Sequence, residues 1–516
     1  MRFSWMKYAL LFPCLTTGLA PGQVSVPTYR YDSFRSGANL NETTLTPANV
    51  QNHFGKLFTI STTGLVFAQP LYVANVTIPN QGTHNVLYVA TMEDAIYAFD
   101  ADNGAMLWSR TLLTPPSIPV PILDITNGNN ITGDVGIEST PVIDMPSHTM
   151  YLVTRSKEGI NLYSQHLRAL DITTGADKTN SPVTISATVS GTGTTAVNNQ
   201  ISFNPFFQNQ RAGLALASNR VFISWASHED QWPYHGWVMA YDMTTLAQVA
   251  AINVTPNGAR GGIWQSGWAP AVDGKGNVYY ATGNGDWDGV RNFGETVIKF
   301  GTSEKIAPVD YFTPDNYSSL TTEDEDLGAS GPMLLPNTNL VAVGGKQGFL
   351  YLLNTNNLGR FSAGDANAVQ VLPLNAGQLK GGPAYWARSS NPLLYIQAEG
   401  DFLKSFQLTG STLTPLAKGS YQINLFAGAE VTVSANGSSG GVVWASSTTG
   451  EFAGSAIVPG TLRAYDAVTL ADLWNSQTNP TDALGNWAKF VPPVVANGKV
   501  YMVSFSDSIV VYGINH

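Results

Sequence analysis

Only one of the 516 residues, Cys14, is a cysteine. If Cys14 lies in a removed leader, no thiol or disulfide is left, and stability must come from the buried core. Charge is also sparse: Asp, Glu, Lys and Arg together make up 12% of the chain, the formal net charge is −10, and no basic run occurs. Phosphate backbones are held by clustered cations, so this pattern argues against a nucleic-acid partner. Heptads and long amphipathic helices are missing. No membrane span is expected either, because the apolar stretch Tyr8 to Leu19 is too short to cross a bilayer. There is no nucleophile elbow, and the Gly-rich stretch 437–441 lacks the strand–helix setting that a phosphate loop needs.

That apolar stretch is flanked by Arg2 and Lys7 before it and by the small residues Ala20 and Gly22 after it. The pattern predicts an export signal over 1–22 and a secreted protein, with 23–516 forming a single domain. Removal of the signal leaves 24 basic against 36 acidic residues. Asn41, Asn75, Asn130, Asn253, Asn316 and Asn436 each head an N-x-S/T triplet, and in an exported eukaryotic glycoprotein these would be glycan acceptors.

Abundant residues complete the picture: 43% are hydrophobic, with 50 Gly and 29 Pro. This composition suits short strands joined by tight turns. One phrase recurs: a β-rich run, a polar turn, a second β-rich run ending near Asp, then a Gly turn and often Trp. Its clearest copy is VLYVATMEDAIYAFDADNGAMLW at 86–108, and others start near 150, 220, 277, 340, 394, 442 and 499. A sheet of this kind buries both faces only when several pack around an axis. The expectation is therefore an all-β, eight-bladed β-propeller, with seven blades as the alternative because the sixth and seventh copies are the most degenerate. The last copy ends near the C-terminus, so a stretch near His53 to Ile60 is expected to supply the missing outer strand.

Across roughly residues 28–515 the phrase resembles the tryptophan-docking repeat of the pyrroloquinoline quinone dehydrogenases. The resemblance implies a quinone and a Ca²⁺ ion on the propeller axis. It points to Glu158, in TRSKEG, and Asn284, in TGNGDW, as metal ligands, since carboxylate and amide oxygens suit a hard cation. Trp264, in GGIWQSGW, is similar to the Trp beneath the quinone plane. Asp324 or Asp326, in TTEDEDLGASGPML, matches the base that takes the substrate's hydroxyl proton, and a loop insertion leaves both open. Lys346, in GGKQG, matches the cation that polarises the quinone carbonyl. Two features depart from the family. No adjacent cysteines cap the site near Gly133 to Gly136, and no haem-attachment segment occurs, so electrons would need an external acceptor.

A separate cluster, His228, Asp230 and His235 in SHEDQWPYHGW, could line the entrance, ligate a metal or pack between blades. The leading expectation is a secreted oxidoreductase acting on an alcohol or sugar hydroxyl. The alternatives are a cofactor-free propeller that binds carbohydrate or another small ligand, and one repurposed for non-redox catalysis. Fold alone does not choose among them.

Overall fold

The computed structural model describes residues 23–126, 130–423 and 426–515. The expected signal, residues 1–22 with Cys14, lies outside these. Eight antiparallel sheets of four core strands form a ring. Their innermost strands are Leu71–Ile78, Val142–Asp144, Ala215–Ala217, Ala271–Val272, Met333–Leu335, Ala384–Trp386, Glu430–Asn436 and Val494–Ala496, which begin blades 1 to 8 in that order. The alternative of seven blades is excluded. Among the described residues no helix is long and apolar enough to cross a membrane.

Alternation along the strands builds the packing between blades. In blade 1, Leu87, Val89 and Phe99 face blade 8 and pack with Tyr501, Val503 and Val511. The intervening Val86, Tyr88 and Ala98 face blade 2 and pack with Met150 and Leu152. The recurrent Asp makes the turn after the third strand in blades 1, 2, 3 and 7, at Asp100, Asp171, Asp242 and Asp466. Asp171 Oδ1 accepts from Thr173 N at 2.8 Å, and Asp466 Oδ1 accepts from Thr469 N at 2.8 Å. These turns also dock blade to blade: Tyr88 donates to Ile172 O at 2.9 Å, Tyr395 to Ala467 O at 2.7 Å and Tyr501 to Ala101 O at 3.0 Å. Trp108 lies over Gly175, where any Cβ would meet its ring at 2.7 Å.

Phe54–Ser61 pairs antiparallel with Ser508–Ile514 as the outer strand of blade 8, which joins the two ends of the chain within one sheet. A second closure is not visible in the repeats. Residues 26–39 run around the axis beneath the inner strands. Val26 bridges Tyr72 of blade 1, and the carbonyls of Pro27, Ser33, Phe34, Ser36 and Gly37 accept from Ile143, Val272, Leu334, Tyr385 and Val433. These lie in blades 2, 4, 5, 6 and 7, and Asn39 Nδ2 reaches Val495 O of blade 8 at 3.0 Å. Arg30 and Arg35, both 1% exposed, fill the middle of this clip. Arg30 lies over Trp268 at 4.4 Å, and Arg35 Nε donates to Pro270 O at 2.9 Å. Of the six N-x-S/T asparagines, Asn253 is only 5% exposed, so in the folded chain its triplet is not a surface loop.

Candidate functional site

Opposite the clip, the loops entering the inner strands meet on the axis. The residue four positions before each inner strand is, in blade order, Phe67, Glu138, Arg211, Gly267, Ala329, Lys380, Phe426 and Phe490. Six of these line one cavity of about 620 Å³; the small Gly267 and Ala329 do not. A second set comes from the far ends of the second strands. Arg155, Asn284, Lys346 and Glu399 each stand six residues beyond the start of that strand, at Thr149, Val278, Leu340 and Leu393.

Four of the residues singled out by the resemblance meet closely here. Lys346 Nζ lies 2.7 Å from Asp326 Oδ2 and 2.9 Å from Asp324 Oδ1. Asp326 Oδ1 accepts from Asn284 N at 2.9 Å, and Asn284 Nδ2 donates to Asp324 Oδ1 at 2.7 Å. Gly283 permits this approach, because a Cβ there would stand 2.2 Å from Asp326 Oδ1. Trp264 completes the group, with Lys346 Nζ 5.8 Å from its ring centre and Phe490 edge-on at 6.2 Å.

The two aspartates differ. Asp326 is 6% exposed, whereas the Asp324 side chain is 65% exposed on a residue of positive φ. Burial pushes the Asp326 carboxyl above its ordinary range; Lys346 pulls it down, and Asp230 and Asp324 push it up. Burial works against the Lys346 ammonium too, but Asp326 and Asp324 outweigh it and hold the group above its usual value. Behind them Glu295 is fully buried and accepts from Leu327 N at 2.7 Å. Burial, reinforced by Asp326, raises its carboxyl well above the usual range.

Glu158 is placed elsewhere. It stands nine residues into the long second strand Thr149–Gly159, half-buried, and accepts from Ser164 and Ser156 in its own hairpin. That hairpin overshoots the cavity, and the residue it presents at the level of Asn284 and Lys346 is Arg155. Arg155 Nη1 donates to His228 Nε2 at 2.5 Å and Nη2 to Phe206 O at 2.7 Å. Glu158 thus shares none of the contacts that join Asn284 to Asp324 and Asp326.

The His cluster divides. His228 and Asp230 line the cavity, while His235 is buried in blade 3 against Thr255 and Thr195. Burial, then Arg155 and Arg211, lower the His228 imidazole well below its ordinary value, and it is neutral. Glu138, Arg211, Arg155, Lys380, Glu399 and Lys489 were not anticipated. For Glu138, Arg211 and Lys380 the available signal was an ionic residue four places before an inner strand, in a chain this poor in charge.

A planar anionic ring system fits the side of this cavity bounded by Trp264, with the Lys346 ammonium at its edge. For a hard cation the fit is narrower. Asn284 is 2% exposed and its Oδ1 has no hydrogen-bond partner among the described residues, which suits an oxygen ligand. Asp324 and Asp326 lie around it, already shared with Lys346. Among the described residues no three His, Cys, Asp or Glu side chains form a metal-ligand group.

The fold is thus that of the eight-bladed propellers, and solved structures of that class are similar to it throughout. The quinohemoprotein alcohol dehydrogenase of Comamonas testosteroni matches with a TM-score of 0.61 and 13% identity, over 95% of this chain and 80% of that one. Quinohemoprotein alcohol dehydrogenase ADHIIG of Pseudomonas putida HK5 gives 0.62 and 14%, over 96% and 80%. A europium-containing methanol dehydrogenase gives 0.60 and 12%, over 95% and 98%. At such identities the likeness establishes the fold. No family model and no curated protein sequence matches.

Proposed function

We propose that the chain is a secreted quinoprotein-like oxidoreductase that oxidises an alcohol or sugar hydroxyl in the axial cavity. The observation that carries the reading is the meeting of Asp326, Lys346 and Asn284 beside Trp264. These residues lie up to 82 positions apart, in the order that the resemblance implies. Three solved dehydrogenases with this fold, named for quinohemoprotein or methanol chemistry, support the same reading.

Asp326 is the proton acceptor in this reading. Its burial raises its basicity, and the contacts of Oδ2 with Lys346 and Oδ1 with Asn284 N fix its plane. Lys346 holds the carboxylate charged before the reaction and places its remaining donor capacity towards the cavity. Trp264 supplies the flat wall. Pyrroloquinoline quinone, when bound beside Trp264 and Lys346, would supply the two-electron acceptor for oxidation of the carbinol, and Asp326 takes the hydroxyl proton. A Ca²⁺ ion would be held by Asn284 Oδ1 with Asp324 and Asp326, and without Glu158. Electrons then pass to an external acceptor.

The test is reconstitution of the purified protein with the quinone, with and without Ca²⁺. Binding is followed by quinone absorbance and tryptophan emission, and turnover by reduction of an electron-accepting dye. Saturable uptake with alcohol-dependent dye reduction is expected. No uptake under either condition would leave the cofactor-free ligand-binding propeller as the reading.

A further inference from the structure

The groups used above occupy one side of the cavity, on blades 3 to 5. The opposite side, from blades 6 to 8, carries a different chemistry. Lys489 is 8% exposed and lines the cavity, yet no carboxylate among the described residues lies within ion-pair distance of it. Its ammonium is held by main-chain oxygens only: Asn130 O, Gly454 O at 3.2 Å and Ala453 O at 3.5 Å. Two of the carboxylates nearby are paired with other cations, while Glu229 accepts from Asn130 N at 2.9 Å and makes no ion pair with Lys489. Glu138 pairs with Arg211 at 3.2 Å and Glu399 with Lys380 at 2.7 Å. Residues 127–129 and 424–425 contain no Asp or Glu. Burial, followed by the Arg211 guanidinium, lowers the Lys489 ammonium to about 8, so it remains charged at neutral pH.

Aromatic rings frame this unmatched charge. Lys489 Nζ lies 5.9 Å from the Phe426 ring centre, and Lys380 Nζ lies 4.1 Å from the same ring. Phe452 and Phe490 pack on Phe426 at 5.2 and 6.3 Å. Glu138 and Glu229 act on Lys489 only at a distance, so a ligand anion in direct contact would stabilise this buried cation further, which carbonyl oxygens cannot do. Apolar walls at van der Waals range select a flat ring over a hydrated chain.

We propose that Lys489, Phe426 and Phe490 form an anion subsite for the substrate, and that the cavity takes an aromatic alcohol bearing a carboxylate. That the ligand is an alcohol rests on the oxidoreductase reading; the anion subsite does not. The ring carboxylate is held at Lys489 while the hydroxyl faces Asp326 across the cavity. Oxidation yields the aldehyde, with the proton on Asp326 and the hydride on the quinone.

The experiment is calorimetric titration of the quinone-free protein at pH 7 with 4-(hydroxymethyl)benzoate and its uncharged amide. A charge-assisted contact predicts a preference of about tenfold or more for the acid. Lys489→Met should reduce the preference to less than about twofold, and Lys489→Arg should retain it. Equal binding of acid and amide by the wild type overturns the subsite. So does a Lys489→Met protein that loses quinone uptake along with the acid, since Lys489 then belongs to the cofactor. If Lys489→Met does not fold, the wild-type comparison and Lys489→Arg still decide. A protein that takes up no quinone but prefers the acid keeps the subsite and loses the oxidoreductase reading. One that oxidises both probes with equal kcat/KM keeps that reading and loses the subsite.

Discussion

Replacing Lys346 with Met tests the electrostatic design of the site most directly. The ammonium lies 2.7 Å from Asp326 and 2.9 Å from Asp324, but only Asp326 is buried, so Asp326 bears the consequence. Breaking a buried pair on one side costs about 3–5 kcal/mol, because the surviving charge has lost its partner. Unfolding entropy of about 2.1 cal/mol/K per residue over the roughly 490 described residues comes to ~1 kcal/mol/K, so the thermal midpoint should fall by ~4 °C. The loss should depend on pH in a known direction. Burial already places the folded Asp326 carboxyl above its ordinary value, and without Lys346 it rises further. A group that binds protons more tightly in the folded state stabilises below its unfolded value, and that stability is lost as pH rises through the folded one. Lys346→Met should therefore be most impaired near pH 8 and recover towards pH 5, as read by scanning calorimetry. Adding Asp326→Asn should restore most of the midpoint at pH 8. A variant whose deficit is the same at both pH values, or is unaffected by Asp326→Asn, would falsify the assignment of a buried, Lys346-dependent charge.

Arg35→Met should destabilise the ring by about 3 kcal/mol, since four hydrogen bonds from one buried guanidinium are lost; calorimetry should show it, with quinone uptake by the folded fraction unchanged. Gly382→Ala places a Cβ 1.4 Å from the Trp268 ring, an overlap that side-chain adjustment cannot relieve. It should lower soluble yield sharply, whereas the Gly364→Ala control, with nothing within 4 Å, should cost only its backbone strain. Glu158→Gln should leave the quinone and Ca²⁺ affinities within about twofold of wild type, because its partners are the serines of its own hairpin; a loss of Ca²⁺ binding would return Glu158 to the site.

The architecture was legible in the sequence because its causes are local and repeated. Alternation in runs such as Val86 to Val89 sets which side chains face each neighbouring blade, and the Asp after the third strand of blades 1, 2, 3 and 7 makes the turn on which the preceding blade's Tyr docks. Closure by Phe54–Ser61 followed from a missing strand in the last copy. Asn284 and Lys346 were legible because each stands six residues beyond the start of a recognisable strand, whereas the loop insertion left Asp324 and Asp326 undecided in the sequence. What only the tertiary structure decided depends on how far each loop projects towards an axis that no local pattern marks. A longer hairpin in blade 2 carries Glu158 past the cavity and leaves Arg155 in its place. Lys380, Lys489 and the Phe426 ring become one surface only because three blades point them at the same space. The clip at 26–39 is likewise invisible in the chain, because its partners are main-chain groups on seven blades, available to any residue and assembled only by the ring.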